Sequence, residues 1–345
     1  MKKLVVVGAA GACIGFAVAC GIGAQKACED SAAAQCQQLD QCWSGYGVSR
    51  TYPDLGTCQS RLAAQCEAAL VAPSTGATPD TVESCASSLP TETCSDLFDN
   101  TPPEVCQTRV GKLANGAPCA FPAQCASAFC AVDANAVCGT CQDLPSVGDS
   151  CEDNGCGPGK QCVTDYTGAR VCAQPVGGGQ GCTRVSPCKA DLTCVGDTTD
   201  GLGGGVPGIC QPNVTTAGDP CDSARRLAPL CNQHDNLYCT PRTNLRDGGA
   251  ILGECVPGVY VTPGEACERA ERDGGSPLLC SAGSQCVAVD AGLSLCVATA
   301  AEGQPCDTAV GPPCESPARC VISPADLDAG VTSGLCTLRD ATACH

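Results

Sequence analysis

Three patterns of apolar and polar positions follow one another along the chain. Leu4 to Val18 is an apolar run behind Lys2 and Lys3. It is short for a membrane-spanning helix, and with its basic start and small-residue end it reads as a signal peptide over 1–20. From 28 to 107, Ala and Leu are mixed with Gln and Glu, a composition that favours helix. Ala27 to Trp43 is predicted as one helix, and Thr57 to Val71 as a second, stopped by Pro73. Thr78 is the expected N-cap of a third, with Pro79 in its first turn and Pro90 at its end. Thr91 opens a short fourth helix through Phe98, and Thr101-Pro102-Pro103 a last turn carrying Cys106. After a linker over 108–118 the apolar residues shrink to short β-prone runs. Val163 and Val171 flank a turn at Gly168. Val287, Val289 and Leu295 surround Asp290-Ala291-Gly292.

The cysteines impose a repeat on that last region. Six quartets open with Gly three residues before the first cysteine: Gly116, Gly148, Gly179, Gly218, Gly264 and Gly303. The quartets are Cys119, Cys125, Cys130, Cys138; Cys151, Cys156, Cys162, Cys172; and Cys182, Cys188, Cys194, Cys210. Then come Cys221, Cys231, Cys239, Cys255; Cys267, Cys280, Cys286, Cys296; and Cys306, Cys314, Cys320, Cys336. The gap between second and third cysteines is 4, 5, 5, 7, 5 and 5 residues. That between third and fourth is 7, 9, 15, 15, 9 and 15. A nearly fixed short gap beside a variable long one predicts an irregular loop and a two-stranded hairpin with a variable tip. Modules of this size bury too little apolar surface to fold alone, so bridges must supply the stability. The fold class expected is disulfide-rich: a small helical bundle, then an elongated array of six hairpin modules over 119–345. Cys141 and Cys344 lie outside the quartets. Either they pair directly, or pairing is staggered so that each module donates to the next. The stagger is preferred, because a direct bond requires the ends of the array to meet.

Composition adds the compartment. The chain has 345 residues and 36 cysteines, with only 3% aromatic residues. That density implies disulfides in an oxidising environment. Ala17-Val18-Ala19-Cys20 fits both ordinary signal cleavage and a lipobox, although Ala replaces the usual Leu. Cleavage before an unmodified Cys20 leaves 35 cysteines, an odd number; lipidation of Cys20 leaves 34 to pair, as does cleavage after Ala24. Lipidation is the preferred reading, and Gly21, rather than Asp, favours the outer membrane. The net charge of −17 becomes −19 without the leader lysines. This excludes nucleic acid and anionic lipid surfaces as partners. Membrane attachment is then expected only through the lipid.

From Cys119 to Cys172, with Cys138-Gly139-Thr140-Cys141 in the middle, the spacing resembles the N-terminal cysteine-rich region of Dickkopf proteins. The whole layout is similar to myxobacterial envelope lipoproteins with a helical cysteine-rich front and Dickkopf-like repeats. The resemblance implies a scaffold. It does not imply receptor antagonism, because a cysteine framework fixes no binding face.

Candidate chemistry is sparse. Cys138 and Cys141 form a CxxC, but no βαβ unit surrounds it, and a structural role is expected over a thiol–disulfide enzyme. With His234 and His345 as the only histidines, zinc is not expected. Asp153-Asn154-Gly155 and Asp197 to Asp200 read as turns, and Gly203 to Gly208 as a hairpin tip. No cofactor motif is present. Trp43, Tyr46 and Tyr52 cluster in an aromatic-poor chain, as a binding patch or as the cover of the bundle's end. The expected function is a non-enzymatic envelope lipoprotein, structural or engaging a protein or cell-surface partner. The alternative is a secreted adhesin or protease inhibitor.

Overall fold

The computed structural model describes residues 23–151, 155–202, 204–241, 252–267, 275–290 and 293–344. The signal segment, Cys20 and Asp153-Asn154 lie outside the described residues.

Five helices form the front: α1 (Ala24–Cys42), α2 (Gly47–Thr51), α3 (Leu55–Val71), α4 (Pro79–Ser88) and α5 (Cys94–Phe98). Helix α4 starts as expected, with Thr78 and Thr81 capping each other reciprocally. Helix α5 starts later than expected, because Thr93, not Thr91, accepts the first-turn N–H of Asp96. Helices α1 and α3 run antiparallel, and the equal cysteine spacings meet across them as Cys28–Cys66 and Cys36–Cys58. Cys42–Cys94 ties α5 to α1, and Cys85–Cys106 ties α4 to the turn at Cys106.

All six modules share one pairing, first cysteine to third and second to fourth, as in Cys151–Cys162 and Cys156–Cys172. The quartets are therefore closed units, not a staggered chain. The third and fourth cysteines face each other across the hairpin in every copy. The opening glycines have φ between 74° and 93°, a left-handed backbone that favours glycine. That turn lets their N–H donate to the carbonyl of the fourth cysteine at 2.7–2.8 Å in all six modules.

In the first module that fourth cysteine is Cys141, bonded to Cys125. The assignment of Cys138 to the quartet is thereby corrected. In four modules a short strand around the first cysteine joins the hairpin, making a three-stranded sheet rather than the two-stranded one expected. Modules two and five keep only single bridges there, Ser150 to Val171 and Ala266 to Leu295.

Cysteine replaces aliphatic bulk in the cores. Of the largest fully buried side chains, every one except Thr240 is a cysteine. Each module adds a few apolar residues, such as Val132 in the first and Leu237 in the fourth.

The array does not run out as an elongated stalk. Cys138 bonds Cys344 across 206 residues, which joins the first module to the segment after the sixth. Arg319 reinforces this seam by donating to Asp133 O at 2.8 Å, and Arg339 by donating to Ala120 O at 3.2 Å. Every module also touches the helical bundle. Gly76 N donates to Ala123 O of the first module, Gly159 N of the second to Asn100 O, and Ala190 N of the third to the Asp99 carboxylate. His234 of the fourth stacks on Phe98. Ala282 N and Gly283 N of the fifth donate to Ser49 O and Arg50 O. Arg61 of α3 donates to Ser316 O and Glu315 O of the sixth. Six modules thus form a covalently closed ring around a helical hub. Among the described residues no helix is long and apolar enough to cross a membrane.

Candidate functional site

The aromatic residues of the helical front lie where modules four to six meet the hub. Helix α1 ends at Trp43, and the chain doubles back through Ser44 and Gly45, both with positive φ, into α2. Gly47 is forced there by close approach, since a Cβ would lie 2.0 Å from Leu39 O. The tight return sends the three rings to three different modules.

Trp43 packs edge-on against Phe98 at 5.5 Å and against His234 at 4.5 Å. His234 Nδ1 meets Asp191 Oδ1 of the third module at 2.6 Å. Tyr46 stacks on Tyr260 at 5.1 Å and remains 40% exposed. Tyr52 is buried with Val48, Cys36 and Cys58, and its hydroxyl reaches Ser316 of the sixth module. Arg50, on α2, lies with its guanidinium carbon 3.7 Å above the Trp43 ring, in cation–π contact.

Sequence reasoning missed Arg50, Tyr238 and Tyr260. Each stands alone in its segment, and only the ring's closure on the hub brings them together. Burial, and then the neighbouring Tyr238, push the Tyr260 hydroxyl well above the usual phenol value. It therefore stays a neutral O–H donor throughout the physiological range.

The other sequence features resolve as bonding patterns. Cys138 and Cys141 belong to different bridges, so the CxxC does not close on itself as a dithiol couple would. Within at least five of the modules, three cysteine sulfurs lie within 4.8 Å of one another, the spacing of a metal cluster. All of them are bonded in disulfides and offer no thiolate. Asp197 accepts from the N–H and hydroxyl of Thr199, and Asp200 from the N–H groups of Leu202 and Gly204. Both are turn-forming carboxylates. Among the described residues the His234–Asp191 pair is hydrogen-bonded to no serine or threonine hydroxyl, as an acyl-transfer triad requires.

Comparison with family models, curated proteins and solved structures finds no match to this chain. The functional reading rests on geometry and chemistry.

Proposed function

We propose that the chain is a non-enzymatic exported scaffold of the cell envelope, anchored by lipid on Cys20 and presenting its modules to a protein or cell-surface partner. One observation carries this reading: the seventeen disulfides consume every cysteine from Cys28 to Cys344. Such a framework belongs to an oxidising extracellular or envelope compartment. The 34 cysteines of the described residues are thus an even number and all pair, while Cys13 and Cys20 of the leader region lie outside the described residues. An even complement that pairs completely without Cys20 is what lipidation at that position requires. The closed ring supports a presenting role, since variable hairpin tips such as that carrying Leu202, 93% exposed, project from a rigid frame.

The test is the mature N-terminus. Mass spectrometry is expected to find a diacylglyceryl-modified Cys20 on protein recovered with membranes, and C20A is expected to release the protein to the soluble fraction. A soluble chain with an unmodified N-terminus overturns the anchor and leaves a secreted module.

A further inference from the structure

A cavity of about 690 Å³ opens where Arg50 of α2 faces the fourth and fifth modules. That volume lies in the range of pockets that enclose a small organic molecule. Tyr238 and Tyr260 form one wall. Leu278, Leu279, Ala288 and Leu293 give an apolar stretch to a lining that is otherwise polar, with Ser284 and Ser294 beside them.

Two of the lining residues carry polar atoms that the fold leaves without a well-formed hydrogen bond. Arg50 Nη1 and the Tyr260 hydroxyl are both shielded from solvent; Nη1 has no hydrogen-bond partner, and the hydroxyl has none of good geometry, only the neighbouring Tyr238 side chain. A buried donor without an acceptor is costly, and more so when it is charged. The chain holds 36 acidic residues against 19 basic ones, yet no ion pair among the described residues includes Arg50. Its guanidinium rests instead on the Trp43 face, which orients a cation without neutralising it. Tyr260 is held in turn by its stack on Tyr46. Arg50 is placed by the hub's α1–α3 return, whereas Tyr260 stands on a strand paired with Leu278–Cys280, so the two donors reach the cavity from opposite sides of the hub–module contact.

We infer that this cavity binds a small amphiphile bearing one carboxylate, its head taken by Arg50 and Tyr260 and its apolar body lying along Leu278, Leu279, Ala288 and Leu293. The donor set selects the head group. One cation and one neutral O–H match the two oxygens of a monoanionic carboxylate. A dianionic phosphate would keep oxygens without donors. An ammonium would meet a like charge. The site is independent of the lipid anchor and stands or falls separately from it.

Trp43 is the only tryptophan and lies under Arg50, so its fluorescence reports the site directly. The oxidised mature protein is titrated with decanoate below its aggregation threshold, with decyltrimethylammonium as the cationic control. A saturable change with decanoate alone is expected. Calorimetry then compares variants whose bridges are shown intact by non-reducing peptide maps. R50M is expected to weaken decanoate about tenfold or more, the usual effect of losing a charge-assisted hydrogen bond. Y260F is expected to weaken it severalfold, and A288F, which fills the cavity and spares both donors, to abolish it. Absence of saturable decanoate binding overturns the proposal. So does equal binding of the cationic control, or A288F binding as the parent does. Should R50M fail to oxidise correctly, A288F and Y260F still decide the matter.

Discussion

At Gly139 a Cβ would fall 1.7 Å from Ala131 O across the first hairpin. Gly208, Gly253 and Gly334 stand in the same place, two residues before the fourth cysteine. There a Cβ would come within 2.7, 2.2 and 2.2 Å of Val195 O, Thr240 O and Val321 O. Only a residue without a side chain lets the strands pass so closely. This series was legible in the sequence, but only with Cys141 as the fourth cysteine. Counting cysteines in order selects Cys138 and hides it. Asp222 is a residue whose role no spacing announces. Its side chain is buried, its Oδ1 accepts from Ala224 N at 2.8 Å, and its Oδ2 from Arg226 N and Leu227 N at 2.8 and 3.0 Å. Burial opposes its ionisation, yet the donors prevail and hold the carboxyl below the usual value. Since the folded value is the lower one, the stabilisation is present at neutral pH and fades as pH falls through it. D222N is expected to cost about 2 kcal/mol near neutrality, with the gap to the parent narrowing in acid. Thermal midpoints of both proteins across pH check this; equal midpoints at neutral pH would refute it.

Among the elements, α1 and α3 were readable from their helix-favouring composition, and α4 because its start is chemically marked. Thr78, Pro79 and Thr81 make a start signal that the structure repeats bond for bond. T78A is expected to lose about 1 kcal/mol of local stability, seen as faster amide exchange in the first turn of α4. Unchanged exchange at Thr81 would mean that packing, not the cap, holds that end. Helix α2 was not readable. Its five residues, Gly-Val-Ser-Arg-Thr, are too few to be helical alone and include β-branched side chains. Burial of Val48 and the close contact of Gly47 with α1 make the helix. Arg50 and its cavity were hidden for the same reason, since the helix that delivers Arg50 exists only in tertiary context. The hairpins lie between these cases: their strands were visible in Val163 and Val171, but the added strand at the first cysteine was not, being only two or three residues long.

For the molecule as a whole, module identity was legible from spacing, and the closed course was not. A bond between residues 206 apart leaves no local trace, and its one sign was a surplus of two cysteines after the quartets were counted. The bond restricts the unfolded chain far more than the module bridges, whose separations run from 11 to 24 residues. C138S/C344S, which removes both sulfurs and leaves no stray thiol, is expected to cost about 5 kcal/mol by loop entropy. The loss is read as a lower thermal midpoint and as proteolysis concentrated at the seam of Arg319 and Asp133. A parent-like midpoint would show that the noncovalent hub contacts suffice to hold the ring.

The Cys138–Cys344 bond also sets a timetable for biogenesis. As the polypeptide emerges, Cys119, Cys125, Cys130 and Cys141 can find their partners within the first module. Cys138, three residues from Cys141, meets no native partner until Cys344 has been delivered, 206 residues later. Through that interval its thiol competes with Cys141 for Cys125. A Cys125–Cys138 bond formed in that interval has to be exchanged before the ring can close, so the closing bond forms only once the sixth module is in place.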